Sequence, residues 1–223
     1  MIRPTLPAIA VFLLPCLLST CGPSGGNDGW TLLFDGTSSE HWRGFRSETM
    51  PEGWVVEDGC LLRKDGGGDV ITRSQWDDFE LELEWKIAPG GNSGIFFHVT
   101  EDHDYTWETG PEMQILDNAA HNDGKNTSTS AGSNYALHAP IRDMSNPAGE
   151  WNAARITCRD GHVEYWLNGT MLLAYDLWSD DWNARVAASK FDAMPDYGQR
   201  KRGHIALQDH GDLVWFRNIR IRK

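Results

Sequence analysis

Strict alternation of apolar and charged residues over positions 79–87 is the feature that most constrains the fold of this chain. In an extended strand, successive side chains point to opposite faces. The apolar set therefore faces a core and the charged set faces solvent: Phe79, Leu81, Leu83, Trp85 and Ile87 against Glu80, Glu82, Glu84 and Lys86. We interpret the glutamates as a solvated strand face.

The same alternation recurs along the chain, with turn signals between the segments. Asp58-Gly59, Asp160-Gly161 and Asn168-Gly169 suit two-residue hairpin connections. No stretch shows sustained helical periodicity. The pattern predicts an all-β chain of roughly a dozen strands, folded as a β-sandwich of two antiparallel sheets. The other predicted strands are 30–34, 54–57, 60–63, 70–73, 94–99, 112–117, 151–159, 162–167, 171–175, 204–207 and 213–221.

Length and charge limit the classes of function. The chain has 223 residues and a formal net charge of -12, which allows a single domain over 29–223, large enough for a sizeable core. The acidic balance argues against nucleic acid and anionic membrane surfaces as partners. Two short basic groups, 200–202 and 217–223, are interpreted as solvated faces.

The N-terminus has the pattern of an exported protein. Arg3 precedes an apolar run over 8–18 that is too short for a stable membrane span, so residues 1–20 are predicted to be a signal peptide. The junction at 18–22 resembles a bacterial lipobox, which predicts lipidation of Cys21 and a flexible tether over 21–28. Thr20 stands where a lipobox usually has Gly, Ala or Ser before the cysteine. Plain secretion is therefore an alternative to a periplasmic or outer-membrane lipoprotein of the cell envelope.

Two further cysteines, Cys60 and Cys158, lie in alternating apolar runs. Export permits a disulfide between them, and two buried reduced thiols fit the sequence equally well. Their spacing does not match a zinc site.

Polar side chains concentrate on one predicted face of the segment 89–118. Alternation places Ile95, Phe97 and Val99 inside, with Phe96 and His98 outside; Met113 and Ile115 are inside, with Glu112 and Gln114 outside. By the same rule Gln208, and His210 if the phase persists, face away from the core. The long polar segment 121–148 is predicted to be a functional or mobile loop. These residues predict the floor of a polar site.

Several motifs then match one family in the same order along the chain. Over 29–223 the sequence resembles the bacterial 3-keto-disaccharide hydrolase domain, through the segments 34–36, 91–96, 112–117, 149–152, 167–169, 203–211 and 216–219. The resemblance implies a concanavalin A-like, laminarinase-type jelly roll whose concave sheet holds carbohydrate. It also implies substrates oxidised at C3 by a partner sugar 3-dehydrogenase. His98 stands where family members often carry Arg, which suggests a different sugar preference.

Cleavage of such a sugar would proceed by removal of the C2 proton, elimination at C1 and hydration, which needs a base, an enolate stabiliser and an acid. We assign Glu112 as base or metal ligand and His210 as acid or base. A divalent metal, with Glu112 and Asp117 as possible ligands, is one candidate stabiliser; Asp117 could instead cap the turn at Asn118. Candidate substrate-binding residues are Gln114, Gln208, His98, Tyr135, His138 and Asn92.

Tryptophans supply the remaining candidates, because aromatic rings stack on sugar faces. Trp85 is expected in the core, whereas the loop positions Trp42, Trp107, Trp178 and Trp182 are candidate sugar platforms. Two other functions remain open on this fold. One is a lectin-like carbohydrate-binding module. The other is a laminarinase-type hydrolase of unoxidised glucan, for which the glutamates at 80, 82 and 84 offer the best support.

Overall fold

A computed structural model of the protein describes Met1 and residues 29–223. Thirteen strands form two antiparallel sheets. The eight-stranded sheet has the order β11-β10-β9-β6-β13-β4-β3, with β1 also paired to β13, and the five-stranded sheet has the order β2-β5-β12-β7-β8. The strands are β1 Thr31–Phe34, β2 Trp42–Gly44, β3 Trp54–Glu57, β4 Cys60–Arg63, β5 Val70–Thr72, β6 Phe79–Ile87, β7 Asn92–Val99, β8 Glu112–Leu116, β9 Asn152–Arg159, β10 His162–Leu167, β11 Thr170–Asp176, β12 His204–Leu207 and β13 Val214–Arg222.

The core lies between the two sheets and confirms the predicted all-β sandwich. The alternating face of β6 is buried from Phe79 to Ile87, and Trp85 is fully enclosed. This face of β6 packs in one cluster with residues of the five-stranded sheet, among them Ile95, Phe97, Met113 and Ile205. A second, smaller cluster on the opposite face of that sheet contains Ile71, Phe96, Val99 and Ala206.

One α-helix contradicts the expectation of a chain without helices. The helix α1, Asp180–Ala187, begins after Ser179, whose Oγ accepts a hydrogen bond from the Trp182 amide at 3.1 Å. Trp182 is its only buried residue, so an eight-residue helix carries too little apolar pattern to reveal its period. Four short 3₁₀-helices also form, at Thr106–Glu108, Asn122–Lys125, Thr127–Thr129 and Lys190–Ala193.

Two β-bulges correct the predicted strand phases. In β7, residues 96–99 oppose only 204–206 of β12, and His98 takes a φ of 54°. The extra residue turns Val99 to the same side as Phe96 and turns His98 inward, so the predicted inward position of Val99 and outward position of His98 are wrong. In β13, alternation over 213–221 predicts Val214, Phe216, Asn218 and Arg220 on one face and Trp215, Arg217, Ile219 and Ile221 on the other. Asn218, with a φ of 53°, reverses this phase, so that Phe216 and Ile219 are both buried.

The outer face of the eight-stranded sheet carries the glutamates of β6 in a ladder of ion pairs. Glu80, Glu82 and Glu84 each lie 2.6 Å from an arginine of β13, respectively Arg222, Arg220 and Arg217. The basic residues at the C-terminus are therefore ion-pair partners of the β6 glutamates, and these carboxylates have a structural role. Glu82 and Glu84 also line a cavity of about 810 Å³ on this face. Because each is paired with an arginine, they offer no free acid and base pair of the kind that glycoside hydrolysis needs, which weighs against the laminarinase-type reading.

Cys60 and Cys158 are both buried free thiols, so the described residues contain no disulfide between them. Burial raises the pKa of the Cys158 thiol to about 12. In the described part of the chain, no helix has both the length and the apolar character needed to cross a bilayer. Apart from Met1, the predicted signal peptide, Cys21 and the tether lie outside the described residues.

Candidate active site

A cleft of about 210 Å³ opens on the outer face of the five-stranded sheet, the face turned away from the core. It combines residues from two strands, β7 and β8, with residues from four connections. Its lining consists of Asn92, Trp107, Glu112, Gln114, Tyr135, Lys190, Phe191, Gln208 and His210. The structure thus brings together seven of the residues predicted from sequence: Glu112, His210, Gln114, Gln208, Tyr135, Asn92 and Trp107.

Strand pairing explains why the floor residues meet. Residues directly opposite each other in neighbouring antiparallel strands point to the same face. Phe96 pairs with Glu112 and Gly94 with Gln114, while the Gln208 amide donates to the Gly94 carbonyl at 3.0 Å. The carboxyl group and the two side-chain amides therefore share one face around Gly94.

Gly94 makes room for Glu112. A β-carbon added at Gly94 would lie 2.2 Å from Glu112 Oε1, because the glutamate side chain crosses directly over the glycine. The glycine of the 91–96 motif is thus required by close approach of a side chain rather than by a turn. It fixes where the carboxyl group lies in the cleft.

Glu112 is almost completely buried, with 7% of its surface exposed. Burial raises the pKa of its carboxyl group to about 8; Asp69 and Asp123 add to the rise, and the Lys190 ammonium opposes it. With its amide nitrogen turned toward Glu112, Gln114 donates to Glu112 Oε1 at 2.9 Å and to the Ser93 carbonyl at 3.1 Å. Glu112 is therefore a carboxyl group held in place and titrating near neutral pH, which is typical of catalytic acids and bases.

Lys190 and Phe191 belong to the site but were not predicted. They begin the last 3₁₀-helix, and Lys190 Nζ lies 4.3 Å from the centre of the Tyr135 ring. Phe191 stacks on Tyr197 at 3.9 Å, and Tyr197 stacks on Trp182 of α1 at 5.9 Å. The buried aromatic stack fixes this connection against the core and so brings a cation to the cleft. The only sequence signal was the length of the connection 176–203.

Tyr135 reaches the cleft because its segment pairs with the free edge of β8. Its amide donates to the Glu112 carbonyl at 3.1 Å, and Gly132 donates to the Gln114 carbonyl at 2.8 Å. The Tyr135 hydroxyl donates to Asp123 at 2.9 Å. Burial, followed by this bond, raises the pKa of Tyr135 to about 12, so the phenol stays protonated. The predicted long loop is thus an ordered wall of the cleft.

His210 is exposed at the rim of the cleft, on a loop that buried charges hold in place. Its neighbour Asp209 forms a buried ion pair with Arg63 of β4 at 2.5 Å, and Arg63 also donates to the Gly211 carbonyl at 2.7 Å. The Asp209 amide donates to Asp69 at 2.8 Å. Arg63, from the eight-stranded sheet, thereby fixes the loop that follows β12 of the five-stranded sheet.

Two predicted binding residues lie elsewhere. His98 Nε2 donates to the Asp77 carbonyl at 2.8 Å, and the ring packs edge-on against Phe79. The bulge turned it away from the cleft, so its assignment as a sugar ligand is wrong. His138 stacks on Tyr175 at 4.7 Å, outside the cleft lining, and burial lowers its pKa to about 4.

Asp117 also lies outside the cleft lining. Its two carboxylate oxygens accept from the amides of Gly90 at 2.8 Å and Ala119 at 3.1 Å. This is the turn-capping alternative, which the geometry favours over a metal ligand beside Glu112. Within residues 29–223, no three His, Cys, Asp or Glu side chains gather as a metal-binding group.

Of the four tryptophans proposed as sugar platforms, only Trp107 lines the cleft. Trp42 is fully buried and donates to the Leu33 carbonyl at 2.8 Å, and Trp182 is fully buried in the aromatic stack. Trp178 packs against the core and donates to the Gly198 carbonyl at 2.8 Å. The loop assignment was wrong for Trp42, which begins β2, and for Trp182, which lies in α1.

Comparisons with known proteins agree with this architecture. Residues 29–222 match the family described as 3-keto-alpha-glucoside-1,2-lyase-like domains. A Bacteroides thetaiotaomicron protein named 3-keto-disaccharide hydrolase is 37% identical over 227 residues, covering 87% of this chain and 78% of the relative. A crystal structure of a candidate glycosyl hydrolase from Parabacteroides distasonis superposes with a TM-score of 0.81 at 38% identity, covering 87% of this chain and 93% of that one.

A more distant likeness bears on the fold alone. The endo-β-1,3(4)-glucanase SCLam of glycoside hydrolase family 16 superposes with a TM-score of 0.51 at 10% identity, covering 88% of this chain and 92% of that one. Together with the two antiparallel sheets, it confirms the predicted jelly roll.

Proposed function

Because the chain belongs to the family of 3-keto-alpha-glucoside-1,2-lyase-like domains, we propose that it cleaves 3-keto-glycosides, disaccharides among them, by elimination and hydration. The observation that carries the proposal is the buried carboxyl group of Glu112 on the floor of a small polar cleft. Ordinary glycoside hydrolysis uses two carboxylates flanking the scissile bond, and Glu112 is the only carboxylate in the described lining.

The first step removes the proton on C2, which the adjacent C3 ketone acidifies. Glu112 in its ionised form takes this proton. Burial gives the carboxylate a pKa of about 8, so it is a stronger base than an ordinary glutamate. Gln114 orients the carboxylate by donating to Oε1. A base whose pKa lies close to the working pH is the arrangement that general base catalysis favours.

Negative charge then develops on the C3 oxygen. The Lys190 ammonium and the side-chain amides of Gln208 and Asn92 line the same cleft. Donors and charges that are fixed in position before the reaction stabilise a developing enolate without the reorganisation that bulk water requires. We assign Lys190 as the principal stabiliser, since it is the one lysine or arginine in the described lining.

Collapse of the enolate breaks the bond between C1 and the leaving oxygen. Protonated His210, at the rim of the cleft, donates a proton to that oxygen, and the leaving group departs as an alcohol. Neutral His210 then takes a proton from water as it adds to C1 of the enone, and Glu112 returns its proton to C2. Glu112 and His210 each end in the protonation state in which they began, so the net reaction is hydrolysis.

We also propose the cellular setting. Cys21 would carry the lipid that anchors the protein in a bacterial cell envelope, with release as a secreted protein as the alternative. A sugar 3-dehydrogenase would act earlier, since the substrate requires prior oxidation at C3.

The test is incubation of the purified protein with a 3-keto-glucoside and with its unoxidised parent, with and without chelator, while release of the aglycone is followed. Cleavage of the keto form alone is expected. Binding of either sugar without cleavage would instead favour a lectin-like module, and cleavage of the parent would refute the elimination route. Loss of activity with chelator would identify a divalent cation as a further enolate stabiliser.

A further inference from the structure

An exposed aromatic pair adjoins the cleft and has no part in the steps above. Tyr105 stacks on Trp107 with ring centres 4.3 Å apart and planes 10° apart. Trp107 packs against the outer cluster that contains Phe96 and Val99, and it also lines the cleft. Tyr105 remains 53% exposed. A flat aromatic surface thus extends from the cleft into solvent.

This pair is fixed in position. The Tyr105 amide donates to Glu108 Oε2 at 2.8 Å, which closes the short helix Thr106–Glu108 on itself. The Thr106 hydroxyl donates to the partly buried Asp69. Exposed aromatic residues that are held rigidly lose little conformational entropy on binding a ligand.

Asp69 also links the pair to the chemistry. Its other oxygen accepts from the amide of Asp209, the neighbour of His210. One carboxyl group therefore anchors both the helix that carries Trp107 and the loop that carries the proposed proton donor. This shared anchor ties the aromatic pair to the loop of His210, beside which the bond at C1 would be broken.

The cleft is too small to hold a whole disaccharide. Its 210 Å³ is below the roughly 300–1,000 Å³ of pockets that enclose drug-sized ligands. One sugar ring with its C2 hydrogen over Glu112 would fill it. Whatever leaves C1 must then extend past His210 toward Trp107 and Tyr105.

The geometry points to Trp107 and Tyr105 as the binding site for the leaving group, which would present a flat apolar face such as an aryl ring or the CH face of a second sugar. The assignment rests on the proposed cleavage of 3-keto-glycosides. It makes the enzyme specific for the terminal oxidised ring and tolerant of any leaving group that can stack.

The test compares three 3-keto-glucosides whose leaving groups are methanol, a phenol and glucose. For Tyr105→Ala, KM is expected to rise about 3- to 10-fold for a leaving group that stacks and to stay unchanged for the methyl glycoside. Each variant is compared with wild type on the same substrate, which removes the intrinsic reactivity of the leaving group. An effect with phenol alone, or with glucose alone, identifies which kind of ring is bound.

Three further variants protect this test. Tyr105→Phe keeps the stacked ring and should behave as wild type. Ile141→Ala removes an exposed apolar side chain that is absent from the cleft lining and should leave all three substrates unaffected. Trp107→Ala should repeat the pattern of Tyr105→Ala with a larger change.

The outcomes separate the two proposals. Wild-type cleavage of any keto-glucoside upholds the proposed function, whereas no cleavage of any of them overturns both proposals. If KM of Tyr105→Ala rose equally for the methyl and the stacking substrates, or rose for none of them, the proposed leaving-group site alone would be overturned.

Discussion

Two strand faces of this protein carry glutamates, and they differ in what surrounds the carboxyl group. On the outer face of the eight-stranded sheet, Glu84 and Glu82 lie 2.6 Å from Arg217 and Arg220. On the outer face of the five-stranded sheet, Glu112 forms no ion pair with any described residue and is buried against Gly94. Burial raises its pKa to about 8.

The difference separates structure from function. A carboxylate with an arginine partner is satisfied and contributes modestly to stability. A buried carboxyl group without an ion-pair partner destabilises the fold in its ionised form even when an amide donates to it, so such groups concentrate at sites that use their proton. Local alternation cannot distinguish the two cases, since both glutamates occupy polar positions of alternating strands.

The largest expected effect comes from replacing the Glu112 carboxyl group by an amide, with the same replacement at Glu84 as the comparison. Glu112→Gln removes the base while preserving shape, so kcat should fall by about 10²- to 10⁴-fold. Affinity for the keto-sugar should be retained. Turnover of a 3-keto-glucoside and titration calorimetry check the two statements.

Glu84→Gln is the matched control and should turn over as wild type does. If Glu84→Gln were the variant that lost activity, the assignment of the site to the five-stranded sheet would be refuted.

A second pair of variants compares a buried ion pair with an exposed one. Arg63 and Asp209 are only 9% and 7% exposed, whereas Arg220 and Glu82 are 42% and 31% exposed. Arg63→Gln leaves an uncompensated buried charge and should lower the free energy of unfolding by about 3–5 kcal/mol. Arg220→Gln should lower it by about 1 kcal/mol or less. Denaturant titration measures both.

The same pair of variants reports on His210. Because Arg63 fixes its loop, folded Arg63→Gln protein should also lose kcat, and Arg220→Gln should not. Equal losses of stability in both variants would mean that burial does not distinguish these pairs.

A third comparison concerns cations. Lys190 lies in the cleft, whereas Lys86 lies on the outer face of the other sheet, 4.6 Å from the Trp215 ring centre. Lys190→Met should lower kcat about 10- to 100-fold by removing the charge that stabilises the enolate. Lys190→Arg should recover part of the loss, and Lys86→Met should have no effect. Steady-state kinetics with one keto-glucoside suffice; an unaltered kcat in Lys190→Met would exclude its assigned role.

Much of the fold was predictable because alternation and turn chemistry are local. The strands Phe79–Ile87, Cys60–Arg63 and His204–Leu207 occur at the predicted positions. The errors arise at His98 and Asn218, where one inserted residue with positive φ reverses the phase. A bulge depends on the pairing of two strands that are distant in sequence, so local alternation does not predict it.

The sequence predicted the strand residues of the site and named Tyr135 and His210 as candidates, but it gave no physical reason why residues of the long connections should reach the cleft. Glu112 and Gln114 follow from alternation and family resemblance, and the geometry places both in the cleft. Lys190 arrives through a connection whose path is set by the stacking of Phe191 on Tyr197. Tyr135 arrives by pairing with the edge of β8. These are tertiary contacts between segments far apart in sequence, which composition and spacing do not encode.

The pH dependence of catalysis offers the finest discrimination between the two glutamates. If Glu112 acts as the base and its removal of the C2 proton limits kcat/KM, kcat/KM should rise with pH, tenfold per unit, and level off above the pKa of about 8. The rate at pH 7 would then be roughly a tenth of the plateau. Glu84→Gln should leave this midpoint in place, because its carboxylate is neutralised by Arg217 on the other sheet. Lys190→Met should move the midpoint upward, since the ammonium group opposes the rise in the pKa of Glu112. A rate that falls through pH 8 would instead make Glu112 the proton donor and His210 the base, and a midpoint that ignores Lys190→Met would assign the titration to another group.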